Sequence, residues 1–228
     1  MGHEYVNCHR ALRQLAARLS DSGFPVLRFD YYGCGDSFGD AEEGGISQWL
    51  QDIATAISEA RVRTSVSHIC LIGLRLGAAL SLITAAERGD VDSVVLWDPV
   101  VIGKVYLQDL SSLQKAALRC RPKPIRPRKS PTHTEIIGFP LPTSLCADVE
   151  KLNLLTIAPK PTTNILAIQS DRAPENTCLK HHLARREGRF EYLRVQAPQI
   201  WFPTVDGNLL VPGQIVQSVV SWTCETHA

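Results

Sequence analysis

The sequence predicts an α/β protein in which a mostly parallel sheet is covered by helices on both faces. Segments with helical apolar periodicity alternate along the chain with short apolar runs. Several of these runs are almost continuously apolar, which is typical of parallel strands buried on both faces. At 68–77 the sequence HICLIGLRLG takes a strand into a helix through a glycine-flanked turn. With 228 residues, of which 44% are hydrophobic, the chain is long enough to bury a sizeable core.

The first half of the chain predicts the order helix, strand, helix, strand. An amphipathic helix is expected over 8–22, followed by Gly23 as a C-terminal stop. The β-rich run FPVLRFDY at 24–31 predicts a strand that ends in a glycine-containing loop. Apolar residues spaced by three and four predict a second helix over 46–57, and the apolar run at 68–73 predicts the next strand.

The alternation continues in the second half of the chain. The predicted elements are a helix at 78–87, strands at 93–97 and 164–169, a helix near 175–186, a strand at 190–195 and a closing helix after Pro212. We therefore expect residues 1–109 to form the first part of the core and residues 161–228 to form the second part.

A basic, proline-rich segment separates these two parts. Between Leu110 and Thr134 there are seven basic residues, no acidic residue and four prolines. The proline spacing forbids a regular helix and favours an extended stretch, so we expect residues 110–160 to be a lid or insertion. It is either a solvated loop or a docking patch for an anionic partner or a phosphate-bearing substrate. The patch residues would be Arg126, Arg128 and Lys129.

Overall composition excludes several classes of protein. A net charge of +1 gives no reason to expect nucleic acid as a partner. No apolar run reaches the ~20 residues of a membrane span, and the first residues lack a signal-peptide pattern, so a cytoplasmic location is expected. Seven scattered cysteines without a C-x-x-C pair argue against a disulfide framework and a zinc site. We expect no metal and no other cofactor.

The residues at the strand-to-helix turn indicate a family. Gly73 and Gly77 stand two residues on either side of Arg75, the spacing that lets a strained turn lift its central residue above the carboxyl end of a sheet. In this context the chain resembles the α/β-hydrolase superfamily from its first residues to about Trp222. DYYGCGDS at 30–37 is similar to a loop of serine-aminopeptidase-like and monoglyceride-lipase-like members.

Three further stretches resemble a narrower, bacterial subgroup. GLRLGA at the turn, LWDPVV at 96–101 and EIIGFPL at 135–141 are similar to hydrolases associated with exopolysaccharide and exosortase systems. The resemblance implies an α/β-hydrolase-like fold and a cleft above the sheet.

The chain departs from the family at the catalytic positions. Arg75 stands where the family presents its nucleophile, and a protonated guanidinium has no lone pair with which to attack a carbonyl. The loop at 196–213, where the family has its histidine, contains none, although Asp206 lies about where that histidine belongs. By resemblance, Asp171 matches the usual acid and Asp98 the alternative acid.

Two interpretations of Arg75 follow. In the structural one, its guanidinium faces Asp98, Asp171 or Asp206 in a buried or half-buried ion pair. In the functional one, Arg75 forms an anion pocket with the N–H of Leu76, which belongs to the oxyanion hole in the family.

The resemblance also implies that the front of the fold is missing. Gly2, His3 and the two residues after them look like the loop that follows the family's third strand and supplies the second oxyanion N–H. Strands one to three of the family are then absent, and we expect a truncated or misassigned start. The strands at 24–31 and 69–72 would pair directly, or an upstream segment or a partner would complete the sheet.

Three functions remain open on this evidence. The first is a hydrolase-fold protein with a degenerate triad that binds an acyl or anionic small molecule, or a partner, in the former active-site cleft. The second is a hydrolase of an ester, thioester or amide in which Arg75 stabilises an oxyanion and Asp98, Asp171 or Asp206 activates water. The third is a module that docks an acidic carrier protein through the basic segment.

Overall fold

The computed structural model describes residues 2–119, 133–160, 163–171, 175–202 and 210–227. Its strands are β1 Cys70–Leu74, β2 Ser93–Trp97, β3 His133–Ile136, β4 Phe139–Pro142, β5 Asn164–Ser170 and β6 Phe190–Val195. Its helices are α1 His3–Asp21, α2 Ile46–Thr64, α3 Leu76–Arg88, α4 Gly103–Arg119, α5 Thr143–Lys151, α6 Thr177–Ala184 and α7 Gly213–His227, and a single 3-10 turn spans Leu154–Thr156.

Four parallel strands form the main sheet in the order β1-β2-β5-β6. Cys70 lies opposite Ser93, Ser93 lies opposite Asn164, and Ile165 lies opposite Phe190. The carboxyl ends of these strands therefore lie at the same edge, which is where a parallel sheet presents its site residues. Strands β3 and β4 form a separate antiparallel hairpin.

Alternation along the central strands divides the core between the two faces of the sheet. Val94 and Leu96 of β2 pack with α2 and α3, whereas Val95 and Trp97 pack with α1 and α7. All five residues of β2 are buried. The predicted α/β architecture with helices on both faces is confirmed.

The prediction of a strand at 24–31 is wrong. These residues follow α1 and are not part of either sheet. A strand exists only where a neighbour accepts and donates its main-chain hydrogen bonds, and no described segment lies in register beside this run. Direct pairing of 24–31 with the strand after it, one of three alternatives, is therefore wrong.

Part of the segment expected as an insertion has regular secondary structure. Helix α4 extends to Arg119, so the first ten residues of the expected lid are helical. The first proline of this region is Pro122, and the leucine-, alanine- and glutamine-containing sequence before it has high helix propensity. Residues 133–151 are also regular, with a hairpin and a helix. Among the described helices, none is long and apolar enough to cross a membrane.

Candidate functional site

The turn between β1 and α3 has the geometry that its glycines predict. Arg75 has φ 54° and ψ −118°, a strained conformation for a residue with a side chain. Its N–H donates to the carbonyl of Trp97 over 3.0 Å. A Cβ on Gly73 would lie 2.4 Å from the carbonyl oxygen of Gly77, so only glycine fits there. The turn therefore holds Arg75 at the carboxyl end of the sheet.

The side chain of Arg75 is held by a buried carboxylate on α1. Its Nε donates to Oε1 of Glu4 over 3.2 Å, and the exposed fractions of the two side chains are 18% and 5%. Oε2 of Glu4 accepts a hydrogen bond from the Tyr106 hydroxyl over 2.7 Å. The guanidinium carbon lies 4.5 Å from the ring centroid of Trp201 and 5.4 Å from that of Tyr106. Arg75 is thus paired on one edge and stacked against aromatic rings.

The electrostatics of this cluster keep Glu4 ionised. Burial by itself would raise the pKa of Glu4, but the positive charge of the amino terminus, then that of Arg75 and the hydrogen bond from Tyr106, outweigh it and lower the pKa. Burial and the Glu4 charge raise the pKa of Tyr106 well above its usual range, which keeps the hydroxyl protonated. The positive charge of Arg75 is therefore compensated inside the protein.

The partner of Arg75 differs from the expected ones. One of the two interpretations above expects an ion pair of Arg75 with Asp98, Asp171 or Asp206, whereas the structure shows an ion pair of Arg75 with Glu4. Asp98 accepts a hydrogen bond from Nη1 of Arg75 at its main-chain oxygen, over 3.5 Å, and the charge of Arg75 also opposes the rise in pKa that burial causes at its carboxyl. Asp206 lies outside the described residues, as do Arg126, Arg128 and Lys129 of the basic segment.

Asp98 is engaged with the next strand. Its carboxylate accepts hydrogen bonds from the N–H of Ser170 over 3.0 Å and from the Ser170 hydroxyl over 2.5 Å. Burial raises the pKa of Asp98, and the bonds from Ser170 oppose this shift. The carboxylate thus ties β2 to β5.

Asp171, directly after β5, likewise forms hydrogen bonds with residues at the end of β6. Its Oδ1 accepts from the N–H of Ala197 over 3.2 Å, and its carbonyl accepts from Arg194 over 2.7 Å. Both acids that follow the family pattern therefore lie at the carboxyl edge of the sheet, but the described hydrogen bonds of their carboxylates go to Ser170 and Ala197 and not to Arg75.

The N-terminal residues form the start of a helix and not the expected loop. Gly2 precedes α1, and its carbonyl accepts from the N–H of Tyr5 over 3.1 Å. His3 is buried, burial lowers its pKa, and its Nε2 has no hydrogen-bond partner among the described residues. Leu76 is the first residue of α3, and the first N–H groups of a helix have no intrahelical partner.

Sequence reasoning missed three residues of this cluster, namely Glu4, Tyr106 and Trp201 as partners of Arg75. A signal for Glu4 is present in the sequence. On α1 the buried residues after it are Cys8, Ala11, Leu15 and Leu19, so the acidic residue lies on the apolar stripe of the helix. An acidic residue at such a position requires a buried partner.

A cleft of about 1120 Å³ extends from Arg75 along the outer side of β1. Its walls are β1, the run at 24–31, and the inward faces of α1 and α2. Three thiols line it, those of Cys8, Cys34 and Cys70. Burial raises the pKa of the Cys8 thiol to about 12 and that of Cys70 to about 11, and it also raises that of Cys34. These thiols are protonated and poor nucleophiles.

Solved structures of known proteins share this fold. Est1E from Butyrivibrio proteoclasticus, a structure with ferulic acid bound, is 17% identical with a TM-score of 0.68, over 95% of this chain and 83% of that one. Alpha/beta hydrolase domain-containing protein 10 from mouse is 15% identical with a TM-score of 0.60, over 94% of this chain and 84% of that one. The α/β-hydrolase fold is therefore shown.

Sequence comparison gives a curated relative and a family. Protein ABHD12B of Homo sapiens is 36% identical over 98 residues, which are 40% of this chain. The match spans only 26% of the length of that protein. The model of the family described as serine aminopeptidase, S33, matches residues 3–153, more than half of the chain. By this match, and with the strand-to-helix turn and parallel sheet described above, the chain belongs to the serine aminopeptidase S33 family of α/β-hydrolases.

Proposed function

We propose that this chain is a degenerate member of its family, which binds a ligand or partner in the former active-site cleft and has lost the covalent hydrolytic mechanism. The observation that carries the proposal is the ion pair between Arg75 and Glu4 at the position of the nucleophile. A hydrolase needs a nucleophile there with a base beside it. In this chain the same position holds the guanidinium of Arg75, which is paired with the buried carboxylate of Glu4.

The charge of Arg75 also argues against the non-covalent alternative. To stabilise an oxyanion, a guanidinium must present uncompensated charge and free donors to the reacting carbonyl. Here Glu4 balances the charge, and two aromatic rings flank the guanidinium. Asp98 and Asp171 hold main-chain and hydroxyl groups of neighbouring strands, which leaves them poorly placed to activate a water beside Arg75.

The pairing of Arg75 with Glu4 also limits the kinds of ligand that the cleft would bind. An anion that approached Arg75 would meet a guanidinium already paired with Glu4, and this pairing weakens its attraction for a free carboxylate or phosphate. The cleft walls supplied by α1 and α2 are largely apolar. An acyl chain or an apolar segment of a partner therefore fits better than a small anion. Docking of an acidic carrier protein through Arg126, Arg128 and Lys129 stays a separate prediction.

Hydrolysis of p-nitrophenyl acetate, butyrate, octanoate and laurate tests this proposal. The folded protein and its Arg75→Ala variant are both expected to give no turnover above buffer. The matched control is Arg13→Ala, which removes an exposed arginine from α1. Turnover by the unmodified protein that disappears in Arg75→Ala and persists in Arg13→Ala would overturn the proposal and establish an arginine-centred hydrolase.

A further inference from the structure

Two histidines lie side by side at the amino end of the main sheet, the end away from Arg75. His68 comes shortly before β1, and His227 is the last residue of α7. The centroids of the two rings are 6.5 Å apart, and the ring planes are inclined by 44°. These residues come together only in the folded chain, so their spacing in the sequence gives no sign of a shared site.

The two rings are held by adjacent residues at the start of β2. Nδ1 of His68 lies 2.9 Å from Oδ1 of Asp92, and Nε2 of His227 lies 2.7 Å from the hydroxyl oxygen of Ser93. The other carboxylate oxygen of Asp92 accepts from the N–H of Ile69 over 2.7 Å, which fixes the carboxylate. The contact with Asp92 turns the ring of His68 toward β2, so this arrangement does not depend on the open edge of β1.

The second nitrogen of each ring is available to a ligand. Neither Nε2 of His68 nor Nδ1 of His227 has a hydrogen-bond partner in the part of the chain that the structure describes. Because a carboxylate only accepts, the neutral ring of His68 carries its proton on Nδ1 and keeps a lone pair on Nε2. The hydroxyl of Ser93 can accept from Nε2–H of His227, which leaves the lone pair on Nδ1. Histidines that bind metals are oriented in this way, with one nitrogen hydrogen-bonded and the other on the ion.

The distance between the rings is close to that required by a shared ion. Zinc–nitrogen bonds are about 2.1 Å long, so two imidazoles on one tetrahedral zinc ion have ring centroids about 5.3 Å apart. The separation of 6.5 Å is longer than this by only about 1 Å. Since the side chain of His68 is 70% exposed, a small rotation of that side chain closes the difference.

We propose that His68 and His227 together bind one zinc ion, which joins the last turn of α7 to the amino end of the sheet. Within the described ranges, no group of three or more His, Cys, Asp or Glu side chains could hold a metal ion, so water completes the tetrahedron. Imidazole suits zinc, whereas magnesium prefers oxygen ligands. This site lies outside the cluster around Arg75 and does not rest on the proposed function.

Isothermal titration of the metal-free protein with zinc chloride tests the proposal. One ion is expected to bind per chain, and magnesium chloride at the same concentrations is expected to give no binding. His68→Gln and His227→Gln should each weaken zinc affinity at least about tenfold, because even a group that only orients a ligand is worth about tenfold or more. The matched control is His181→Gln, which removes an exposed histidine of α6 and should leave the affinity unchanged.

Two results of the titration would overturn the proposal. Zinc affinity that is unchanged in either variant of the pair would show that the ion is bound elsewhere. Binding only at millimolar zinc, equal in all four proteins, would indicate an adventitious ion only.

Hydrogen exchange shows whether both histidines hold the same ion. At a zinc concentration about ten times Kd, exchange in the last turn of α7, at residues 223–227, is expected to slow about tenfold in the unmodified protein. His68→Gln should abolish this effect at the same zinc concentration, although the substitution is remote from α7 in the chain. Equal slowing in His68→Gln would mean that His227 binds zinc by itself, and zinc binding without any slowing would mean that α7 is not held. Either result refutes the shared site.

Discussion

Nε of Arg75 lies 3.2 Å from Oε1 of Glu4, although the two residues are 71 positions apart in the chain. The contact joins the strained turn after β1 to the first turn of α1. Because both side chains are largely removed from water, each is costly without the other. The pair is therefore a structural element at the carboxyl end of the sheet.

Removal of one member of this pair should destabilise the fold more than removal of both. Glu4→Leu leaves the guanidinium of Arg75, which is largely removed from water, without this counter-charge and is expected to lower the free energy of unfolding by about 3 kcal/mol. The double variant Glu4→Leu/Arg75→Met removes both charges and should recover a large part of that loss. Urea unfolding of the two variants measures the difference. A double variant less stable than Glu4→Leu would contradict this account.

The hydroxyl of Tyr106 should contribute through its bond to Glu4. Tyr106→Phe keeps the ring and removes a buried donor to a carboxylate, so we expect a loss of about 2 kcal/mol in unfolding free energy. Tyr32 offers a matched control, since its hydroxyl donates to Glu43 over 2.8 Å on the exposed surface. Tyr32→Phe should change stability much less because water competes for that bond. Equal losses in the two variants would argue against a special role for the buried cluster.

The ionised state of Glu4 predicts a dependence of stability on pH. Its pKa in the folded protein lies below the ordinary value of 4.5, so Glu4 contributes stability above that value and loses it as the pH falls through the lower folded pKa. Glu4→Gln cannot titrate. The difference in unfolding free energy between the protein and this variant should therefore shrink as the pH is lowered from about 7 to about 3. A difference that stays constant would show that folding does not lower the pKa of Glu4, and a difference that grows as the pH falls would show that folding raises it.

Asp98 affects the same measurement in the opposite direction. Burial raises its pKa above the ordinary value, so its protonation stabilises the folded state at low pH. Both proteins in the comparison contain Asp98. Its contribution therefore cancels, and the difference reports on Glu4.

Local patterns were sufficient for two of the strands. The predicted bounds of 93–97 and 190–195 agree with β2 and β6. In β2 the residues after Ser93 are all apolar, which is typical of a parallel strand buried on both faces. The run at 24–31 is also rich in β-forming residues and is not a strand. Its local sequence is suitable, but strand formation depends on a neighbour that is distant in the chain, and this cannot be predicted from the run itself.

In the site, too, the features that depend on local sequence were predictable and those that depend on distant residues were not. Gly73, Arg75 and Gly77 were predictable as a strained turn because their spacing is local. The partner of Arg75 was not, since acidic residues at several distances from the turn were equally compatible with the pattern. Only the packing of α1 against the sheet selects Glu4.

The two glycines of the turn should differ sharply in their tolerance of alanine. At Gly73 a Cβ would lie 2.4 Å from the main-chain oxygen of Gly77 and 2.5 Å from Cα of Ala78, so strand and helix would have to separate. We expect Gly73→Ala to lower the unfolding free energy by about 3 kcal/mol or more. At Gly77 a Cβ would meet only the Tyr31 hydroxyl, at 3.9 Å, within a helix that favours alanine by about 1 kcal/mol. Gly77→Ala should therefore be neutral or stabilising. Urea unfolding of both variants decides the matter, and equal effects would mean that β1 and α3 do not approach as closely as the turn geometry requires.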